Sequence, residues 1–266
     1  MIYLSSFLLS DKKLKNPNIY PYSVFRNKYI SPLVFSSITV LYGNNGSGKS
    51  TILNLIAEKL GIHGFSRYRY RQTLIDYFLE ECSYGMSDDE YGKVQKVPKN
   101  SRYIKSEDIL YEIKKIQQEE ALEQGYIYEQ VQRGMTKRAA KKELYSHIGL
   151  DTRMDILQFA QEKYSNGETA MQVIFDSLEP DALYLLDEPE VSLSPPNQVK
   201  LAEEMNKMAR LLGCQFIIAT HSPFMLGTLN AKIYNLDSDD IEEEEWSNLE
   251  NVRYFYEFFK KHEKEF

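Results

Sequence analysis

Residues Gly43 to Ser50 read Gly-Asn-Asn-Gly-Ser-Gly-Lys-Ser: two glycines separated by four residues, followed at once by lysine and serine. That spacing curls a backbone until successive N–H groups point into one concavity, where they bind phosphate oxygens. Gly43, Asn44, Asn45, Gly46, Ser47 and Gly48 make the curl. Lys49 is spaced to reach the β- and γ-phosphates of a bound nucleotide, and Ser50 to give its hydroxyl oxygen to Mg2+. Thr51 belongs to the same binding set, in the first turn of a helix whose positive end faces the phosphates.

Asp187 and Glu188 follow the apolar run Ala182-Leu183-Tyr184-Leu185-Leu186. Mg2+ takes oxygen ligands and keeps several waters, so one carboxylate beside Ser50 and the phosphates suffices. Asp187 is assigned to the metal, through water, and Glu188 to orienting or deprotonating the attacking water. The plainer alternative is an acidic pair that ends a strand, and the phosphate loop upstream weighs against it. His221 ends the next buried strand. It is placed to sense the γ-phosphate or hold the water; the alternative is a strand-end histidine bonded to backbone. Ser165-Asn166-Gly167-Glu168 opens a helix. Hydroxyl, free N–H groups and dipole there make either an anion site or an ordinary N-cap with Glu168 in the first turn, and the residues leave both open.

Elements must hold these groups together. A β-branched apolar run, Ser37 to Tyr42, precedes the phosphate loop, and a helical pattern, Thr51 to Leu60, follows it. Ala182–Leu186 and Gln215–Thr220 read as buried parallel strands. Pro195 to Leu212 reads as a helix with proline at its start and Gly213 at its end. Ala231–Leu236 and Ile241–Trp246 read as late strands, and Asn251–Phe266 as a terminal helix. The apolar N-terminus, Met1 to Leu9, reads as an edge strand of the nucleotide domain, since it has neither a basic flank nor a cleavage site. Strands alternating with helices predict an α/β fold with a mostly parallel sheet and flanking helices. Ligands then gather beyond the carboxyl ends of the strands, where all these motif residues fall.

Residues 1–62 and 164–266 read as halves of one discontinuous domain, with 63–163 as a charged, tyrosine-rich helical insertion. Within it, Ser106–Gln124 and Tyr128–Ile148 predict a helical hairpin with Gly125 between arms of about 28 Å. Ser106 reads as the N-cap, with Glu107 and Asp108 in the first turn. Arg67-Tyr68-Arg69-Tyr70-Arg71 reads as a strand with tyrosines inward and arginines in water, phosphate contact being the alternative. Arg133, Lys137, Arg138, Lys141 and Lys142 read as a solvated helix face or a grip on a nucleic-acid backbone. Glu242 to Glu245 reads as a solvated edge.

The 266 residues carry a net charge of −7 and a pI of about 5.3. So acidic a chain does not coat nucleic acid non-specifically over its whole surface. Its two cysteines, Cys82 and Cys214, have no C-x-x-C partner, which excludes a four-cysteine zinc site and a disulfide framework. No run approaches the ~18 apolar residues that span a bilayer. Reduced thiols and the lack of a membrane segment predict a cytoplasmic protein.

The order of parts now matters: phosphate loop, long insertion, serine-glycine helix start, apolar strand with Asp-Glu, then strand with His. It resembles the ABC-type ATPases, in particular their soluble RecF/SMC/OLD-like branch. Tyr164 to Glu168 looks like a degenerate signature motif, with Asn166 in place of a glycine and Glu168 of a glutamine. Leu186-Asp187-Glu188-Pro189-Glu190 and Ala219-Thr220-His221-Ser222-Pro223 are similar to the corresponding blocks of that branch. The short form, with Tyr20-Pro21-Tyr22-Ser23 before the first sheet strand, also resembles a group of bacterial AAA-family ATPases. The resemblance implies a P-loop NTPase that hydrolyses ATP with Mg2+. It implies an ATP-dependent homodimer in which Ser165 and Gly167 of one copy close over Lys49 and Ser50 of the other. Val191-Ser192-Leu193-Ser194 falls where the family's D-loop crosses between copies, and Gln72 and Gln95 are the candidates for its Q-loop glutamine. The family's usual settings, genome maintenance and defence, imply DNA or an effector protein as partner. The alternatives are the ATPase subunit of a membrane transporter and a nucleotide-gated binding module with negligible turnover.

Overall fold

The computed structural model describes residues 1–12, 14, 16, 18–29, 31–64, 73–147 and 166–266. They divide into two units: Met1–Ser106, Glu179–Val191 and Gln198–Phe266 form the first, and Glu107–Leu178 with Ser192–Asn197 the second. The strands in chain order are β1 (Leu4–Leu8), β2 (Leu33–Val34), β3 (Ile38–Tyr42), β4 (Ser83–Met86), β5 (Arg102–Lys105), β6 (Leu183–Asp187), β7 (Gln215–Ala219), β8 (Lys232–Asn235) and β9 (Glu242–Glu243). The helices used below are α1 (Tyr22–Phe25), α2 (Lys49–Leu60), α3 (Thr73–Glu81), α4 (Ser106–Gln132), α5 (Lys137–His147), α6 (Asn166–Asp176), α7 (Pro195–Leu211), α8 (Pro223–Thr228) and α9 (Glu250–Lys261).

The nine strands found among the described residues lie in the first unit. Six form one sheet in the order β5-β6-β7-β3-β8-β9, parallel throughout except for β9 at the edge. Every residue of β3, β6 and β7 is buried, as expected for central strands covered on both faces. The register sets Asp187 beside Ala219 and Ala219 beside Leu41, so the carboxyl ends of β6, β7 and β3 finish level. Leu41, Leu183, Leu185, Ile217 and Ala219 share one core with Ile52, Leu53 and Ile56 of α2. Tyr184 and Phe216 stack on each other at 5.4 Å between ring centroids.

The N-terminal strand departs from expectation. β1 is not an edge of the main sheet but the middle of a second, antiparallel sheet, β2-β1-β4. Leu4, Phe7 and Leu33 of that sheet join the same core. Gln215, fully buried, ties the two sheets: its Oε1 accepts from the N–H groups of Tyr3 and Leu4 at 2.8 and 2.9 Å, and its Nε2 donates to Leu4 O and Ser36 O at 2.8 and 3.1 Å.

The span read as a helical insertion also holds β4 and β5, and β5 pairs in parallel with β6. Alternation there is too short to mark four-residue strands in a charged context. The Arg67–Arg71 run lies outside the described residues. In the second unit, α4 runs through Gly125 for 27 residues. One helical glycine costs about 1 kcal/mol, less than the continuing hydrogen bonds return. The break falls at Gly134, whose φ of 95° lets Met135 N–H reach back to Gln130 O at 3.0 Å, before Thr136 caps α5 by accepting from Ala139 N–H at 3.3 Å. The late strand is also shorter than expected: Glu242–Glu243 pairs with β8, while Trp246 opens a 3-10 turn. Among the described residues no helix is long and apolar enough to cross a membrane.

Candidate functional site

The loop between β3 and α2 positions the first group of side chains. Gly48 has φ 104°, a conformation costly for any residue with a Cβ, and a Cβ there would stand 2.7 Å from Val24 Cγ1. Glycine thus permits both the turn and the close seat of the 22–25 segment against the loop. Ser47 N–H donates to Asn44 O at 3.1 Å, and Ile52 N–H to Gly48 O at 2.9 Å, which starts the helix. Asn44, Asn45 and Gly46 are exposed at the tip. Lys49 is buried, and its Nζ donates to Gly43 O at 2.7 Å and Asn44 O at 3.2 Å. Thr51 is buried in the first turn, its hydroxyl 3.5 Å from that of Tyr20. Tyr20 precedes Pro21 across a cis peptide bond.

The ends of β6 and β7 bring the second group to the same place. Ser50 Oγ donates to Asp187 Oδ1 at 3.0 Å, across 137 residues of sequence, and Tyr103 OH donates to Oδ2 at 3.2 Å. Burial pushes the Asp187 carboxyl above the usual carboxylate range, against those two donors and the nearby Lys105 ammonium. Glu188 takes φ 49°, left-handed for a residue with a side chain, and its N–H donates to Ala219 O at 2.9 Å. Its Oε1 stands 3.9 Å from Lys49 Nζ and 3.5 Å from His221 Nδ1. Backbone strain of this kind costs on the order of 1 kcal/mol and concentrates at working sites. Lys49, Ser50, Asp187, Glu188 and His221 therefore share one cluster.

Several side chains of this cluster carried no assignment from sequence. Tyr103 and Glu190 are buried, and Glu190 Oε1 accepts from Thr220 Oγ1 at 2.5 Å and His221 N–H at 3.3 Å. Lys105, in register with Asp187, donates to Asn54 Oδ1 at 3.0 Å. Asn251 donates to His221 O at 2.9 Å, while its N–H donates to Tyr42 OH at 3.1 Å. Asp237 accepts the Asn44 N–H. The Leu-Asp-Glu-Pro-Glu block was the one available signal, for Glu190; strand neighbours such as Tyr103 have none. Ser165 and Gln72 lie outside the described residues. Asn166, Gly167 and Glu168 open α6 by their backbone, and their side chains lie outside the description. Gln95 donates to Asp88 O at 3.5 Å, within its own turn.

The donor set fits Mg2+ with a nucleoside triphosphate. Ser50 and Asp187 offer the oxygen ligands a hard divalent cation takes. Ser47 Oγ is buried without a hydrogen-bond partner among the described residues, and the ammonium of Lys49 rests on the loop's own carbonyls, a weaker partner than phosphate oxygens.

The chain was compared with known proteins. A search of curated proteins returned no match. Among solved structures, the chain is similar to the Smc head domain of Pyrococcus furiosus with an extended coiled coil, bound to the C-terminal domain of ScpA: 15% identity, TM-score 0.46, covering 98% of this chain and 100% of that one. It is similar to the SMC head domain of Thermotoga maritima at 14% identity and TM-score 0.43, covering 88% and 94%. A bacterial ABC transporter cassette solved as a dimer gives 15% identity and TM-score 0.44, covering 94% and 100%. The chain's own strand–phosphate loop–helix unit, β3 to α2, set in a mostly parallel sheet with flanking helices, is an α/β fold of the P-loop NTPase type. A protein family described as "AAA domain, putative AbiEii toxin, Type IV TA system" matches residues 87–227, a span that includes Asp187–Glu190 and Thr220–Ser222. That span is more than half of the 266 residues, and the chain belongs to this AAA-domain family.

Proposed function

We propose that the chain binds Mg-ATP on Gly43–Thr51 and hydrolyses it. One observation carries this reading: Ser50 meets Asp187 at 3.0 Å while Glu188 Oε1 stands between Lys49 Nζ and His221 Nδ1. No single structural role requires a lysine, two acids, a serine and a histidine from three strand ends in one place.

The backbone N–H groups of the first turn of α2 and the loop donate to the phosphate oxygens, and Lys49 neutralises their charge. Ser50 and Asp187 would hold the cation, which when bound polarises the phosphoryl oxygens and screens their charge. Glu188 orients the attacking water and takes its proton. His221, held through its backbone by Glu190 and Asn251, presents Nδ1 beside Glu188 and fixes the geometry of that carboxylate and the water. Ser165 and Gly167 of a second copy are assigned to closing the site, so that ATP joins two chains. The partner is DNA or an effector protein. Arg133, Lys137, Arg138 and Lys142 are exposed, in keeping with the former.

The test is calorimetric binding of ATP and phosphate release, with and without duplex DNA, for the unmodified chain and Lys49→Ala. Binding and turnover that Lys49→Ala abolishes uphold the assignment. A variant that binds and turns over ATP like the parent removes it. Stimulation by DNA selects DNA as the partner, and an unchanged rate selects the protein.

A further inference from the structure

The peptide unit joining Gly43 to Asn44 is gripped at both ends by opposite charges. Its carbonyl oxygen accepts from Lys49 Nζ at 2.7 Å, and its N–H donates to both carboxylate oxygens of Asp237, at 2.8 and 3.0 Å. Asp237 is itself braced. Its N–H donates to Asn235 Oδ1 at 3.0 Å, and Asn235 ends β8 in register with Tyr42, the residue before the loop. Lys28 Nζ donates to the carbonyl oxygens of Asp237 and Ser238 at 3.3 and 2.8 Å, and Tyr29 N–H donates to Asp239 O at 2.9 Å. Gly43 leaves the carboxylate its room: a Cβ there would stand 3.1 Å from Asp237 Oδ1 and 2.5 Å from Ser47 Oγ.

We propose that Asp237 is a positioning residue of the phosphate loop, holding the Gly43–Asn44 peptide in one orientation while Lys49 exchanges the loop's carbonyls for nucleotide phosphates. The proposal rests on the nucleotide reading above. Lys49 cannot serve both sets of oxygens at full strength. When its ammonium turns to phosphate, Gly43 O loses its partner, and a peptide beside glycine rotates at little cost. Rotation would carry the carbonyl dipole away from Lys49 and spoil a cradle that depends on N–H groups converging. The hydrogen bond from Asn44 N–H to a carboxylate is charge-assisted and stronger than a neutral one, so rotation must first break it. Asp237 thereby takes over as the fixed end of the peptide. What matters is an acceptor at that position, since extra negative charge near phosphates is itself a cost.

Asp237→Ala and Asp237→Asn separate acceptor from charge. Calorimetry with ATP, the split between KM and kcat, and hydrogen exchange of the Asn44 amide in nucleotide-free protein are the readouts. Asp237→Ala is expected to weaken ATP binding and raise KM about tenfold, the loss of one charge-assisted hydrogen bond. kcat at saturating ATP should fall far less, and the Asn44 amide should lose its protection. Asp237→Asn, which keeps an acceptor oxygen, should stay within about threefold of the parent. Unchanged ATP affinity in Asp237→Ala overturns the proposal, as does an Asp237→Asn variant as damaged as the alanine. Should Asp237→Ala fail to fold, rapid exchange of the Asn44 amide in the unmodified protein overturns it equally. The two possible failures are distinct. A parent chain that binds no ATP removes the nucleotide reading and the proposal with it. Binding that Lys49→Ala abolishes and Asp237→Ala leaves intact removes the proposal alone.

Discussion

Glu190 accepts two donors on Oε1, from Thr220 and the His221 N–H, while its Oε2 is buried with no partner among the described residues. His221 Nδ1 lies 3.9 Å from Oε1 and is itself shared with Glu188. Burial outweighs these donors and raises the Glu190 carboxyl above the usual carboxylate range. A raised carboxyl pKa means that the folded protein holds the proton more tightly than the unfolded chain does. The corresponding stability is present below the ordinary carboxylate pKa and is lost as pH rises through the raised value. Glu190→Gln removes that titration and keeps an acceptor for both donors. The stability of the variant minus that of the parent, from urea unfolding at a series of pH values, should therefore rise as pH goes from acid to neutral. A difference that stays flat across the series would return Glu190 to an ordinary buried acceptor. The residue stood in plain sight within Leu186–Glu190, but its burial did not. Glutamate is seldom fully buried, and here the segment after β6 sets it against Thr220 and His221 at the end of β7. The same holds for Tyr103, which reaches Asp187 from 84 residues away.

The elements show how far a sequence reading reaches. Runs such as Leu183–Leu186 and Phe216–Ala219 are legible because a strand covered on both faces must be apolar at every position. The loop after β3 is legible because only glycine tolerates φ 104° at Gly48 and the approach of Val24 to it. Which strands neighbour one another is not legible in these runs, and so β5 beside β6 and β1 in a second sheet were missed. Gln215 marks the omission: a polar residue at the head of an apolar strand, bonded not within its own sheet but to Tyr3, Leu4 and Ser36. Removing it strands two N–H groups and two carbonyls in the core between the sheets. Each such loss costs on the order of 1–3 kcal/mol before relaxation. Gln215→Ala should therefore lower unfolding stability by about 2–4 kcal/mol, with ATP affinity at low temperature little changed, since none of its partners touches the phosphate loop. Denaturant unfolding and calorimetry measure the two quantities. A loss below about 1 kcal/mol would mean that water or backbone shifts replace the clamp.

At the scale of the whole molecule the question is what two copies do. Each carries a net charge of −7, so copies repel at long range and need a specific adhesive. Mg-ATP on Gly43–Thr51, contacted from the other side by the Ser165–Glu168 segment of a second copy, is the proposed adhesive, and hydrolysis would dissolve it. Glu188→Gln separates binding from hydrolysis. It replaces a carboxylate by an amide of the same shape, which keeps the left-handed turn at that position and the neighbouring Ser50–Asp187 pair, but removes the group proposed to take the proton from water. ATP then persists in the site and so should the pair of chains. Light scattering is expected to give a mass near 31.1 kDa for the variant without nucleotide and near twice that with saturating Mg-ATP. The parent chain should return to the single mass as its ATP is consumed. Raising the salt should favour the pair rather than dissolve it, because it screens the repulsion between two acidic bodies more than it weakens contacts buried with the triphosphate. A variant that remains a single chain at saturating Mg-ATP, while calorimetry shows the nucleotide bound, would leave the ATP site complete within one copy and remove any need for the partner's Ser165 and Gly167.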